Sequence, residues 1–131
     1  MPLIGGFFIV GKSLSEGILR IALLNENPHR KLGVLVITLV SQFADLIDAL
    51  RATPQILKHK PSAVEVMDGF ILNNTKQNAA LERLRSTFIE GDPGALLCVE
   101  FYADRAEDLP PRLDALEQDL TAHRMGYRYH R

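Results

Sequence analysis

Three runs govern what this chain can fold into: "LGVLVITLV" (residues 32–40), "SAVEVMD" (62–68) and "ALLCVEFYA" (95–103). Each is apolar or alternating, rich in strand formers and shorter than a favoured helix, so each reads as a strand. The segments between them carry a helical period. Ser41 offers an N-cap, and Phe43, Leu46, Ile47 and Leu50 follow at helical spacing until Pro54 ends that helix or kinks its tail. After Asp68, Phe70, Ile71 and Leu72 lead into a polar stretch and then Leu81, Leu84 and Phe88. That reads as two helical pieces with a break near Asn78. Leu109, Leu113, Leu116 and Leu120 form an amphipathic helix that accepts Pro110 and Pro111 in its first turn and stops at Gly126. "YRYHR" (127–131) would be a fourth strand.

The order is β-α-β, a helical insertion, then β-α-β: the split βαβ, or ferredoxin-like, pattern. It predicts an α+β fold, βαββαβ, with an antiparallel sheet of four strands and a helical insertion after the second. Helices cover one sheet face and the other is left uncovered. "EGDPGA" (90–95) is a turn, with Pro93 presetting φ and Gly94 free to take positive φ. No lysine follows it and it leads into a strand, so it is not a phosphate loop.

A length of 131 residues predicts one domain with a modest core. The net charge of −1 makes no electrostatic case for nucleic acid or a membrane surface. The basic end, with Arg124, Arg128 and Arg131, reads as a solvated strand or tail. The one cysteine, Cys98, sits in an apolar run and is a core residue. With no disulfide and no export signal, the chain reads as cytoplasmic. "MPLIGGFFIVG" (1–11) is too short for a bilayer span, which takes about 20 apolar residues, and lacks a basic start. It reads as a pairing strand or a remnant of a larger parent. His29, His59, His123 and His130 are scattered and predict no metal site.

Side chains alternate along a strand, so the faces can be sorted. Leu35, Ile37 and Leu39 oppose Val34, Val36 and Thr38; Val64 and Val66 oppose Ala63, Glu65 and Met67; Leu97, Val99 and Phe101 oppose Cys98, Glu100 and Tyr102. The apolar set belongs under the helices. Glu65 and Glu100 therefore share the other face. Paired carboxylates can do acid–base work. The plainer reading is a solvated sheet face, or one covered by another subunit.

"PSAVEVMDGFIL" (61–72), "FIEGDPGALLCVEF" (88–101) and "AHRMGY" (122–127) resemble the C-terminal cap of FAD-linked oxidases. That family includes the glycolate oxidase flavin subunit, D-lactate dehydrogenases and D-2-hydroxyglutarate dehydrogenases. The likeness runs from about Leu32 to Tyr127. "SEGIL" (15–19) is similar to the "SEGTL" stretch that closes the family's FAD-binding domain, with Ile18 in place of threonine, and "NENPHRKLG" (25–33) sits where a linker enters the cap. The resemblance thus implies a remnant of the FAD-binding domain and linker over 1–31 and a cap subdomain over 32–131, roughly the first half of a cap. The family's glycine-rich pyrophosphate loops, its His-x-Gly-Asp-Gly-Asn-x-His motif and the arginine that clamps the substrate carboxylate have no counterpart in the sequence.

The implied function is that of a fragment of a FAD-dependent oxidoreductase acting on a small 2-hydroxy acid. FAD belongs to the parent enzyme, with none expected on this chain, which is expected to be inactive alone. Glu65, Asp68 and Glu100 are the candidates to face the flavin or substrate, although strand parity sends Asp68 to the face opposite Glu65. The expected partner is the FAD-binding domain or a second copy of the chain. A homodimer is expected because Met67, Tyr102 and the apolar start would lack cover, with residues 1–12 pairing across the interface. The alternative is a free-standing ferredoxin-like interaction or ligand-sensing module. A third, weaker reading is a small enzyme that uses Glu65 and Glu100 as its acid–base pair.

Overall fold

A computed structural model describes residues 8–10 and 35–131, with side chains from 38 onward. The elements are β1 (Phe8–Val10), β2 (Leu35–Phe43), α1 (Leu46–Leu57), β3 (Ala63–Asp68), α2 (Gly69–Asn74), α3 (Ala79–Arg85), β4 (Ala95–Ala103), α4 (Leu109–Ala122) and β5 (Arg128–His130). One sheet runs in the order β1-β3-β4-β2-β5. The pairs β3–β4, β4–β2 and β2–β5 are antiparallel, which is the order the split βαβ pattern requires. β1 adds to the free edge of β3, in parallel. Three residues of the apolar start therefore pair within their own chain, and not across a subunit interface. The rest of 1–31, including the "SEGIL" stretch and the linker, lies outside the described residues.

The alternation holds. Leu39, Val64, Val66, Leu97, Val99 and Phe101 pack under Ala49, Ala52 and Ile56 of α1 and under Leu109, Leu113, Leu116 and Leu120 of α4. Arg112 of α4 lies over the Phe101 ring, 4.5 Å from its centre. The second face is not left bare. Val40, Met67, Leu96 and Cys98 form a second core with Leu72, Phe88 and Ile89, flanked by Leu81 and Leu84. The insertion has an apolar stripe of its own that must be covered, and this end of the sheet offers matching apolar side chains. Met67, expected to lack cover, is 4% exposed.

Several boundaries differ from the sequence reading. β2 continues through Ser41 and Gln42 because both neighbouring strands pair with them. The α1 N-cap is Asp45, whose carboxylate accepts from the Asp48 N–H at 2.8 Å, and the helix runs past Pro54 to Leu57. Starting later rotates the buried stripe to Ala49, Ala52, Thr53 and Ile56, and leaves Ile47 and Leu50 exposed. Asn78 does break the insertion, capping α3 through the N–H groups of Ala80 and Leu81. The α4 stop lies upstream of Gly126. Met125 N–H donates to Leu120 C=O and Arg124 N–H to Thr121 C=O, a Schellman turn with Arg124 at φ 55.

The "EGDPGA" turn also works differently. Gly91 takes the positive φ of 68, while Gly94 meets a close approach: a Cβ there would stand 2.0 Å from the Ala44 carbonyl oxygen. Arg85, almost wholly buried, donates to Gly91 C=O at 2.8 Å and to Asp92 at 3.2 Å. Asp92 also pairs with Lys76, which holds its carboxyl below the usual range. Gln42 closes the same region. Its side chain donates to Glu90 C=O at 2.8 Å and accepts from Glu90 N–H at 2.9 Å.

Candidate functional site

Strand register arranges the second face in rows across the sheet, because directly paired residues share a face. Met67, Leu96, Gln42 and Arg128 form the row beneath the insertion. Glu65, Cys98, Val40 and His130 form the next. Ala63, Glu100 and Thr38 form the third, and Tyr102 lies beyond it. The face is thus apolar at the insertion end and polar at the other. The boundary passes through the Glu65 row.

Glu65 and Glu100 occupy adjacent strands, offset diagonally by two residues, so their Cβ atoms are about 7 Å apart. That makes the two carboxyl groups diagonal neighbours on one face. Neither is solvated as a bare sheet face would leave it: Glu65 is 3% exposed and Glu100 fully buried. The Tyr102 hydroxyl donates to Glu100 Oε2 at 2.7 Å. The hydroxyl reaches the carboxylate because residues two apart on a strand share a face, which is also the signal in the sequence that could have linked them. Below them Ser62 ties the strand ends: its N–H donates to Glu100 C=O at 2.8 Å and its Oγ accepts from Tyr102 N–H at 3.0 Å.

Asp68 is placed apart. It closes β3 and caps α2, its Oδ1 accepting from Ile71 N–H at 2.8 Å. One of its oxygens therefore serves the turn into the insertion. The structure brings Glu65 and Glu100 together with Tyr102 and gives Asp68 a local duty.

A second polar cluster escaped the sequence because its members are far apart in the chain. Asp119 of α4 meets His59 Nε2 at 2.6 Å, Gln55 at 2.7 Å and His123 Nδ1 at 3.0 Å. The His59 and Gln55 hydrogen bonds hold the Asp119 carboxyl below its usual range. The cluster lies on the helix side and clamps the end of α1 to α4. Among the described residues, no group of three or more His, Cys, Asp or Glu could hold a metal ion. No helix among them is long and apolar enough to cross a membrane.

An FAD pyrophosphate needs N–H donors or cations. The polar half of this face carries Glu65 and Glu100, carboxyl groups that offer a phosphate neither an N–H donor nor a cation. These residues do not fit as the group that holds FAD.

The chain matches the family described as FAD linked oxidases, C-terminal domain, over residues 35–127. Comparison with curated proteins and with solved structures gives no match. The matched span starts with β2 and ends just before β5, so it takes in both carboxylates and the insertion. The chain therefore belongs to the FAD-linked oxidase family, through that family's C-terminal domain.

Proposed function

We propose that residues 32–131 form a cap whose polar sheet face, with Glu65 and Glu100, covers the flavin and substrate pocket of an oxidoreductase acting on a small 2-hydroxy acid. The observation that carries this reading is the burial of two carboxyl groups, one of them accepting from the half-buried Tyr102 hydroxyl, on one half of a face whose other half is closed by apolar packing. Burying a carboxylate is costly unless it is hydrogen-bonded or paired, and the Tyr102 hydroxyl supplies Glu100 with one such bond.

In this reading FAD, held by the FAD-binding domain of the enzyme, supplies the redox chemistry. The chain's own residues shape the cavity, keep water out and offer a carboxylate to a substrate hydroxyl. The substrate's own carboxylate is held by another part of the enzyme. The 131-residue chain does not turn over substrate by itself. Asp68 contributes through the α2 cap, which sets where the insertion closes the pocket. A second copy of the chain is the proposed partner when the FAD-binding domain is not engaged, and light scattering reads that homodimer directly.

The test is spectroscopic. The purified chain, titrated with FAD, is expected to show no saturable flavin band, and no turnover of glycolate, D-lactate or D-2-hydroxyglutarate with an acceptor dye. A stoichiometric flavin band, or turnover by the chain alone, would sink this reading.

A further inference from the structure

We propose that the groove between the start of α1 and the turn joining α4 to β5 binds a small carboxylate with an apolar or aromatic body. The groove holds about 330 Å³, at the small end of the range for ligand pockets. Met125 gives it apolar surface and Tyr127 an exposed ring, beside the almost wholly buried Phe43. Arg51 of α1 and Arg124 of the turn after α4 both border it, so two arginines from separate elements line one cavity. Asp48, the carboxylate in the lining, stands 3.5 Å from Arg51. One positive charge is left over, in a chain whose net charge is −1.

The backbone points the same way. Arg124 has φ 55 at the turn position that glycine ordinarily fills. A residue with a Cβ is disfavoured there, and glycine would relieve the strain. Strain of this kind collects at binding sites, where a side chain is held against a backbone preference. A guanidinium matches a carboxylate in two-point geometry, and the apolar floor selects the body attached to it. Phosphate alone would leave Met125 and the Tyr127 ring unused. Phe43 is five residues along β2 from Thr38, the partner of Glu100, which is about 17 Å at strand rise. The groove is therefore a separate place from the flavin-facing half of the sheet.

The full chain is titrated with sodium benzoate while the signals of Tyr127 and Met125 are followed by NMR. Benzamide, the neutral counterpart, and inorganic phosphate are titrated alongside. Benzoate is expected to saturate with a Kd of about 1 mM or tighter, and the other two are not. Arg124→Gly should raise the melting temperature while weakening benzoate about tenfold or more. Arg51→Gln, at an exposed helix position, should weaken it with the fold unchanged. Absence of saturation, equal binding of benzamide or phosphate, or unchanged affinity in both variants overturns the proposal.

Discussion

Gly94 leaves no room for a side chain, since its missing Cβ would overlap the Ala44 carbonyl oxygen and both partners are backbone. Gly94→Ala is expected to cost about 3 kcal/mol or to prevent folding, read from chemical denaturation. A change below about 0.5 kcal/mol would contradict this close approach. The sequence marks the same glycine for a turn, but its reason, contact with a strand end fifty residues earlier, is tertiary and has no local signature. Glu100 gives the converse case. Its face follows from strand parity alone, whereas its burial depends on what the neighbouring rows and the insertion cover. Tyr102→Phe removes the hydroxyl that donates to this buried carboxylate and should destabilise by about 1.5–3 kcal/mol. Stability equal to the parent would mean that the hydrogen bond contributes nothing.

At the scale of elements, the strands and the α4 stripe were legible because their periods are long and uninterrupted. The start of α1 was not. Ser41 has the chemistry of an N-cap, but pairing with β4 and β5 keeps it in the sheet, and Asp45 takes the role. Gln42, polar in an apolar run, gave no sequence signal for what it does. It bridges to the Glu90 backbone and so joins the sheet to the end of the insertion. Gln42→Leu strands that backbone pair and should destabilise by about 2–4 kcal/mol, with amide exchange rising first around Glu90. Uniform loss of protection across the chain would argue against a local tie. The α1–α4 clamp titrates. The Asp119 pKa is depressed in the folded state by His59 and Gln55. Its contribution is therefore complete above the unfolded value of about 3.9 and is lost as pH falls through the folded value. Asp119→Asn should be less stable than the parent near neutral pH, with the gap narrowing in acid. A gap independent of pH would remove the carboxylate from the clamp.

At the scale of the molecule, the described residues form a ferredoxin-like sheet whose two faces are covered differently. One is closed by α1 and α4. The other is half closed by the insertion and half polar, with Glu65 at the boundary and Glu100 one row beyond it. The strand order was legible, because the split βαβ pattern admits few sheet orders. The cover on the second face was not, because the apolar residues of the insertion carry no mark of the face they will meet. Central to the proposed function is contact between the polar half and an FAD-binding domain. The direct measurement mixes the chain with an FAD-loaded domain of the same family and follows flavin fluorescence and amide exchange together. A saturable change in fluorescence is predicted, with protection at Ala63–Glu65 and Glu100–Tyr102 and a weaker response in Glu65→Gln. Protection confined to α1 and α4, or a Glu65→Gln response equal to the parent's, would contradict that contact.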